Sequence, residues 1–377
     1  MTSLSAHLTI NEGALQQPDN EGTWGMKMNH QMIDMSTQVS APAYAPARAP
    51  AAPRVKPHHH GLPLRVGTRA SPLALVQTRM FLALLTKFCP VLRGMDVFHE
   101  HAIRTTGDAT QATGERLADI GGKGLFSKEI HEALLDRRID FAVHSLKDLE
   151  TELPPGVVLA CTLPREDPRD VLILGPDLEI PAGDDPYATL PHGAIIGSSS
   201  VRRQAQLLAV RPDLQVRNIR GNVHGRLDKV RRGDFQASLL AMAGMNRLGL
   251  EEEASVLIDA NLMVPAACQG IVGITVRAAD SELHALLAAI ADKDATVMAT
   301  AERALLGALD GSCHTPIGAF ARLTSEGRMT LTGLVARADG SYILRRTIEC
   351  ARTDAAAAGL TLGDELRRES PQDLFAW

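Results

Sequence analysis

From Leu64 onward, short apolar runs alternate with segments whose apolar residues recur at helical spacing. Short buried strands alternating with helices can cover both faces only in a layered α/β arrangement, with a parallel or mixed sheet whose ligands gather beyond the carboxyl ends of the strands. Leu64 to Thr68 is the first expected strand. Ser71 then caps a helix opened by Pro72, and Leu73, Val76, Met80 and Leu84 continue one apolar face. The pattern repeats as a helix over Leu125 to Arg137, with Phe126, Ile130 and Leu134 on one face, before a buried strand at Phe141 to Val143. Arg69 and the segment His144 to Asp148 therefore fall just past strand ends.

A second unit begins after Pro164 to Pro168, with strands expected near Val171 to Leu174, Ala194 to Ile196, Val216 to Ile219 and Ala237 to Leu240, separated by helices. Asn222 can cap the helix carrying Val223, Leu227 and Val230, and Gly233 stands where a glycine would stop it. A third unit follows a helix over Ala295 to Leu309, with alternating segments at Met329 to Val335 and Tyr342 to Ile348 and a last helix at Leu362 to Arg368. The expected fold class is α/β, two larger units with a small C-terminal α+β domain. Ahead of all this, residues 1–62 show no sustained periodicity, run through an Ala/Pro stretch from Ala41 to Pro57 and end near His58, His59 and His60. They read as a disordered extension without a catalytic role.

Charge narrows the function. A formal net charge of -5 with only 3% aromatic residues argues against a general nucleic-acid binder, which needs a basic footprint and stacking rings. No apolar run reaches the roughly 20 residues of a membrane span, and no secretory leader is apparent, so a cytoplasmic protein is expected. Cys89, Cys161, Cys268, Cys313 and Cys350 are odd in number and lack CxxC spacing, so reduced thiols are expected and neither a disulfide framework nor a metal site.

Against this acidic background Arg69, Arg202, Arg203, Arg220, Arg226 and Arg247 all fall at expected strand-to-helix turns or first helical turns. Helix N-termini offer free N–H groups and guanidinium forks match carboxylates, so the pattern suits a pocket for a polyanion, with Gly197, Ser198, Ser199 and Ser200 adding donors. Solvated surface arginines are the competing reading, about equally weighted. His144-Ser145-Leu146-Lys147-Asp148 puts a hydroxyl, an ammonium and a carboxylate on one turn, fit for stabilising a transient cation or moving a proton, although an Asp there also serves simply to cap a turn. Cys313, beside His314 on a loop bounded by Gly311 and Pro316, is a candidate for covalent chemistry.

Several motifs, taken in order, resemble the porphobilinogen deaminase family: Val66-Gly67-Thr68-Arg69-Ala70-Ser71-Pro72-Leu73-Ala74-Leu75, Gly121-Gly122-Lys123-Gly124-Leu125-Phe126, Ala142-Val143-His144-Ser145-Leu146-Lys147-Asp148, Arg165-Glu166-Asp167-Pro168-Arg169-Asp170, Arg220-Gly221-Asn222-Val223 and Gly311-Ser312-Cys313. The resemblance runs from about Leu64 to the C-terminus. It implies two periplasmic-binding-protein-like domains, 63–165 with 270–290 and 166–269, and a third, 291–377, bearing the cysteine loop. It implies a transferase, hydroxymethylbilane synthase, that joins four porphobilinogen molecules with loss of ammonia in tetrapyrrole biosynthesis. The cofactor would be one covalent dipyrromethane, joined through a thioether to Cys313 and held by Ser145, Lys147, Asp148, Ser199, Ser200, Arg202, Arg203 and Arg220. Asp148 would be the catalytic carboxylate, stabilising the azafulvene cation left when ammonia departs. Arg69, Arg220, Arg226 and Arg247, with Gln77 and Gln269, would bind the substrate's acetate and propionate groups. A monomer without nucleic-acid or membrane partners is implied, as is a loop over Asp108 to Lys123 that screens the cleft.

The chain departs from that pattern at Cys268, where Gly is common, at Thr275 for Glu, at Gln236 for Asp, at His224-Gly225 for Asn-Thr and at Leu149-Glu150 for Val-Pro. Cys268 is thereby a second candidate thiol. The alternative function is a non-catalytic carboxylate-binding module of the same two-domain architecture.

Overall fold

The computed structural model describes residues 61–92, 97–109, 124–310 and 316–375. All of them belong to the second of two units, Met1–Lys56 and Pro57–Trp377. The expected N-terminal extension lies outside the described residues apart from Gly61 and Leu62, as do Cys313 and almost all of the expected screening loop.

The first sheet contains β1 (Leu64–Arg69), β2 (Phe98–Ile103), β3 (Phe141–Ser145), β4 (Val157–Thr162) and β10 (Val272–Arg277), in the order β2-β1-β3-β10-β4. Here β1 runs parallel to β2 and β3, whereas β10 is antiparallel to β3 and β4. The second sheet contains β5 (Asp170–Leu174), β6 (Ile195–Gly197), β7 (Gln215–Arg217), β8 (Ala237–Ala241) and β9 (Val256–Leu257), in the order β7-β6-β8-β5-β9. Again β6, β7 and β8 are parallel and β5 is antiparallel to its neighbours. One plan thus serves twice, and the chain passes between the sheets through residues 163–169 and 258–271. A third sheet, β11 (Ile317–Leu323), β12 (Arg328–Ala336) and β13 (Ile343–Ala351), is an antiparallel meander. The expected α/β class with a small α+β unit is observed.

Among the described residues the helices are α1 (Pro72–Phe88), α2 (Thr106–Ala109), α3 (Lys128–Leu135), α4 (Val201–Val210), α5 (Val223–Arg231), α6 (Met242–Leu248), α7 (Ser281–Ala288), α8 (Lys293–Ala308) and α9 (Ala355–Glu369). Ser71 caps α1 by accepting from the Ala74 amide, and Asn222 caps α5 by accepting from Gly225, as their sequence positions predict. Gly233, at φ +79°, lets the chain turn away after α5. Each sheet has its own core: Val66, Phe81, Leu85, Phe141 and Ile274 in the first, Leu172, Ile196, Leu207 and Leu239 in the second, and Leu305, Leu331, Val335 and Leu362 in the third.

Three local expectations are corrected. On α1 the buried stripe is Thr78, Phe81, Leu82 and Leu85, and Met80 is 45% exposed. The Phe81 ring decides this by meeting Phe141 edge-on at 5.7 Å, a burial that contributes roughly 2–3 kcal/mol. The helix expected over Leu125 to Arg137 is only α3, and Phe126 leaves the apolar stripe to cover Arg69. Arg247 sits in the last turn of α6, because β8 runs on to Ala241 and the seven-residue helix starts late.

Candidate active site

Because β1 and β3 are parallel neighbours in register, Val66 opposite Phe141, their carboxyl ends emerge side by side. Arg69 ends the first strand, and a 3-10 turn, Leu146–Asp148, follows the second. Arg69 Nη1 consequently lies 3.6 Å from Asp148 Oδ2. Its other terminal nitrogen donates to Asp108 Oδ1 at 2.5 Å, and the Phe126 ring lies 4.1 Å from its guanidinium carbon. Across from this pair, the second sheet presents the carboxyl ends of β6, β7 and β8, followed by Ser199 and Ser200, by Arg202 and Arg203 in the first turn of α4, by Arg220 and Arg226 around the start of α5, and by Arg247 on α6.

These residues line one cleft of about 340 Å³ together with Gln77, Ser145, Lys147, Asp148 and Gln269. Every expected site residue except Cys313, which lies outside the described residues, is therefore on the same surface. Among the described residues seven cationic side chains line it against one carboxylate, Asp148, within a chain of net charge -5. So unequal a lining concentrates positive potential where ligands enter, the arrangement for drawing in a polyanion.

Besides Arg69 and Arg220, the other five cations fall into two groups. Arg202 and Arg203 converge on Asp170, which is completely buried: Arg202 Nη1 donates to Oδ2 at 2.8 Å and Arg203 Nη2 to Oδ1 at 2.7 Å. Gln269 Nε2 adds a third donor to Oδ1 at 2.8 Å. Burial alone would raise the Asp170 pKa, but the two guanidinium charges and their hydrogen bonds overcome it and hold the carboxyl well below the usual range. In the sequence this carboxylate ends the motif Arg165-Glu166-Asp167-Pro168-Arg169-Asp170 and opens an apolar strand, Asp170-Val171-Leu172-Ile173-Leu174, but nothing there names its partners. It fixes where the two arginines stand and uses much of their hydrogen-bonding capacity.

In the second group are Lys147, Arg226 and Arg247, which have no carboxylate within salt-bridge distance among the described residues. Burial pushes Lys147 down to about 8, with Arg203 and Arg202 adding to the effect against the opposing pull of Asp148 and Asp170. Burial and the nearby Arg203 and Arg220 charges bring Arg226 to about 10, and burial lowers Arg247. Arg247 donates to the Gly270 carbonyl at 2.6 Å, while its buried Nε has no hydrogen-bond partner among the described residues. Under-compensated buried cations cost stability unless an anion joins them, so the donor set fits a ligand bearing several carboxylates, as dipyrromethane and its pyrrole extensions do.

Cys268 is not placed for covalent chemistry. It is 1% exposed, donates weakly to the Ala299 carbonyl, and burial raises its thiol to about 12. Its φ of +61° puts it in the left-handed region at the passage between the sheets, where the family's common Gly fits without strain. Two of the other substituted positions find partners: Thr275 Oγ1 lies 2.9 Å from His144 Nε2, and Gln236 accepts from the Ile195 amide.

Sequence comparison matches residues 64–285 to "Porphobilinogen deaminase, dipyromethane cofactor binding domain" and residues 296–368 to "Porphobilinogen deaminase, C-terminal domain". The porphobilinogen deaminase of Paracoccus denitrificans is 44% identical over 84% of this chain and 97% of its own length. That of Nitrobacter winogradskyi is 44% identical over 82% and 94%. Among solved structures, the periplasmic VFT2 domain of Bordetella pertussis BvgS overlaps 60% of this chain and 86% of its own at 14% identity and a TM-score of 0.34, too distant to inform the site. Matches of this extent, joined to the cation-lined cleft around Asp148, show that the chain belongs to the porphobilinogen deaminase family.

Proposed function

We propose that this protein condenses four porphobilinogen molecules, with loss of ammonia at each addition, on a dipyrromethane primer and releases hydroxymethylbilane by hydrolysis. The observation that carries this reading is that, among the described residues, one carboxylate, Asp148, stands with seven cationic side chains on the lining of the cleft. The primer, when bound, supplies the pyrrole carbon from which the chain grows. Cys313 is its proposed anchor, and the described residues on either side of that segment, Leu306 and Ile317, both line the cleft.

In this reading Ser145, Lys147, Ser199, Ser200, Arg202, Arg203 and Arg220 hold the primer's carboxylates, while Arg69, Arg226 and Arg247 with Gln77 and Gln269 receive those of the incoming substrate. Asp148 accepts from pyrrole N–H groups and stabilises the positive charge that develops as ammonia leaves. A fixed carboxylate does this better than water, because it needs no reorganisation when the charge appears. Arg69, 3.6 Å away, holds the Asp148 carboxylate in place at the cleft wall.

The reading divides the chain into three domains, 63–165 with 270–290, 166–269 and 291–377, a division supported by the presence of three sheets. We assign the protein to the cytoplasm as a monomer with neither nucleic-acid nor membrane partners, a reading supported by its acidic charge and by the lack, among the described residues, of any helix long and apolar enough to cross a membrane. Incubating the purified protein with porphobilinogen tests the reaction. Ammonia and hydroxymethylbilane should appear in a ratio of four to one, and substrate that binds without turnover would favour the non-catalytic module.

A further inference from the structure

Two residues beyond Asp148, Glu150 reaches back to the segment that carries Phe126. Its Oε1 accepts from the Ser127 hydroxyl at 2.7 Å. Gly124, at φ +84°, passes so close that a Cβ there would collide with the same oxygen. The segment Gly124 to Ser127 is itself closed onto α2 by the Gly107 amide, which donates to the Leu125 carbonyl at 2.8 Å. Phe126, in the middle of it, lies on the Arg69 guanidinium.

The main chain of the same stretch is held from a third direction. Arg303 on α8 donates to the Glu150 carbonyl at 2.5 Å and to that of Thr151 at 2.9 Å. Arg303 is itself largely buried and its pKa lowered by that burial, with Cys268 and Glu150 opposing the shift. The backbone beyond Asp148 is thus clamped to the helix that leads toward Cys313, and the Glu150 side chain clamps the Phe126 segment to that backbone.

We propose that Glu150 is a positioning residue for substrate binding: through Ser127 it fixes Phe126 over Arg69, and so holds the Arg69 guanidinium where it meets both Asp148 and an incoming carboxylate. This role rests on the proposed reaction. Glu150 touches neither Arg69 nor the cleft lining directly, so its effect passes through Ser127 and Phe126. A fixed guanidinium binds a carboxylate without first losing side-chain freedom, and that advantage belongs to binding more than to the chemical step.

The test is steady-state kinetics with porphobilinogen on Glu150→Ala, Ser127→Ala, the double variant and Glu150→Gln, each checked for primer by intact mass. Loss of one charge-assisted hydrogen bond should raise KM roughly tenfold in Glu150→Ala and in Ser127→Ala, with kcat within about twofold and primer retained. The double variant should be no worse than either single one, since both changes break the same link. Glu150→Gln, whose amide oxygen can still accept from Ser127, should bring KM back to within about twofold of the wild type. An unchanged KM in either alanine variant, additive effects in the double variant, or a Gln variant as impaired as Ala would overturn the role. Should Glu150→Ala fail to fold, Ser127→Ala, which leaves the carboxylate in place, decides the matter alone. A wild-type chain with neither primer nor turnover would contradict the reaction itself and this role with it.

Discussion

Arg69 Nη1 lies 3.6 Å from Asp148 Oδ2, joining the ends of two parallel strands that neighbour each other in the sheet although 78 residues of sequence, from Ala70 to Lys147, separate the two side chains. Strand order β2-β1-β3 brings the guanidinium and the carboxylate together, and the helix and loops between serve to return the chain. The chemistry proposed for the cleft depends on the Asp148 carboxylate being fixed at that junction.

Asp148→Asn should therefore keep the fold and lose the reaction. The amide preserves shape while removing the charge, and turnover should fall by about 10²–10³, the scale of losing one fixed electrostatic contact in a transition state. Ammonia release measured under saturating porphobilinogen checks this. Near-normal turnover from the variant would remove Asp148 from the mechanism.

Asp170 should behave in the opposite way, as a residue on which stability depends. Asp170→Leu leaves the Arg202 and Arg203 guanidinium groups buried with no counter-charge, a change expected to cost about 3–5 kcal/mol. Urea unfolding followed by circular dichroism should show a lower midpoint with an unchanged slope. A midpoint at the wild-type value would mean that the two arginines are compensated by something other than Asp170.

Lys147 sets a pH limit through the primer: once it no longer holds the primer's carboxylates, the end of the chain against which porphobilinogen binds is less firmly placed. With its pKa lowered to about 8, this lysine is charged below that pH and loses its proton as pH rises through it, so one carboxylate-binding cation disappears on the alkaline side. KM for porphobilinogen should climb above about pH 8, and Lys147→Arg, which stays charged, should flatten that climb. A wild-type KM constant to pH 9.5 would contradict the assignment.

His144 acts on stability instead. Burial, with smaller contributions from the nearby His131 and Arg69, lowers its pKa from 6.5 to about 3. Between those values the unfolded chain takes up a proton that the folded chain refuses. Stability from this group is thus fully present above pH 6.5 and is lost as pH falls toward 3, by at most about 1.4 kcal/mol per pH unit. Denaturant titrations at pH 7 and pH 5 on the wild type and on His144→Gln should show a steeper loss in the wild type, and identical losses would overturn this account.

What could be read from the residues, and what could not, divides along physical lines. The caps at Ser71 and Asn222 and the turn at Gly233 are local, and each was legible because the signal and the structure occupy the same few residues. The clustering of arginines at strand-to-helix turns was legible for a similar reason, since parallel strands send all such turns to one edge. Pairing across the fold was not. Nothing near Arg202 or Arg203 in the chain announces Asp170, 32 residues from the first of them, because the partnership exists only once β5 lies antiparallel beside β8. Phe126 was misread for a related reason: its spacing suits a helical stripe, but its energy is better served over the Arg69 guanidinium. The stripe on α1 was misassigned because Leu73, Val76, Met80 and Leu84 keep helical spacing just as Thr78, Phe81, Leu82 and Leu85 do, and only the Phe81–Phe141 contact chooses between them.

The measurement that bears most directly on the central claim is the intact mass of the denatured protein, purified from cells that make porphobilinogen, for the wild type, Cys313→Ser and Cys268→Ala. The account predicts a wild-type excess equal to two condensed porphobilinogen units, kept in Cys268→Ala and absent from Cys313→Ser. A wild-type chain at its unmodified mass, or an excess that survives in Cys313→Ser, would contradict it.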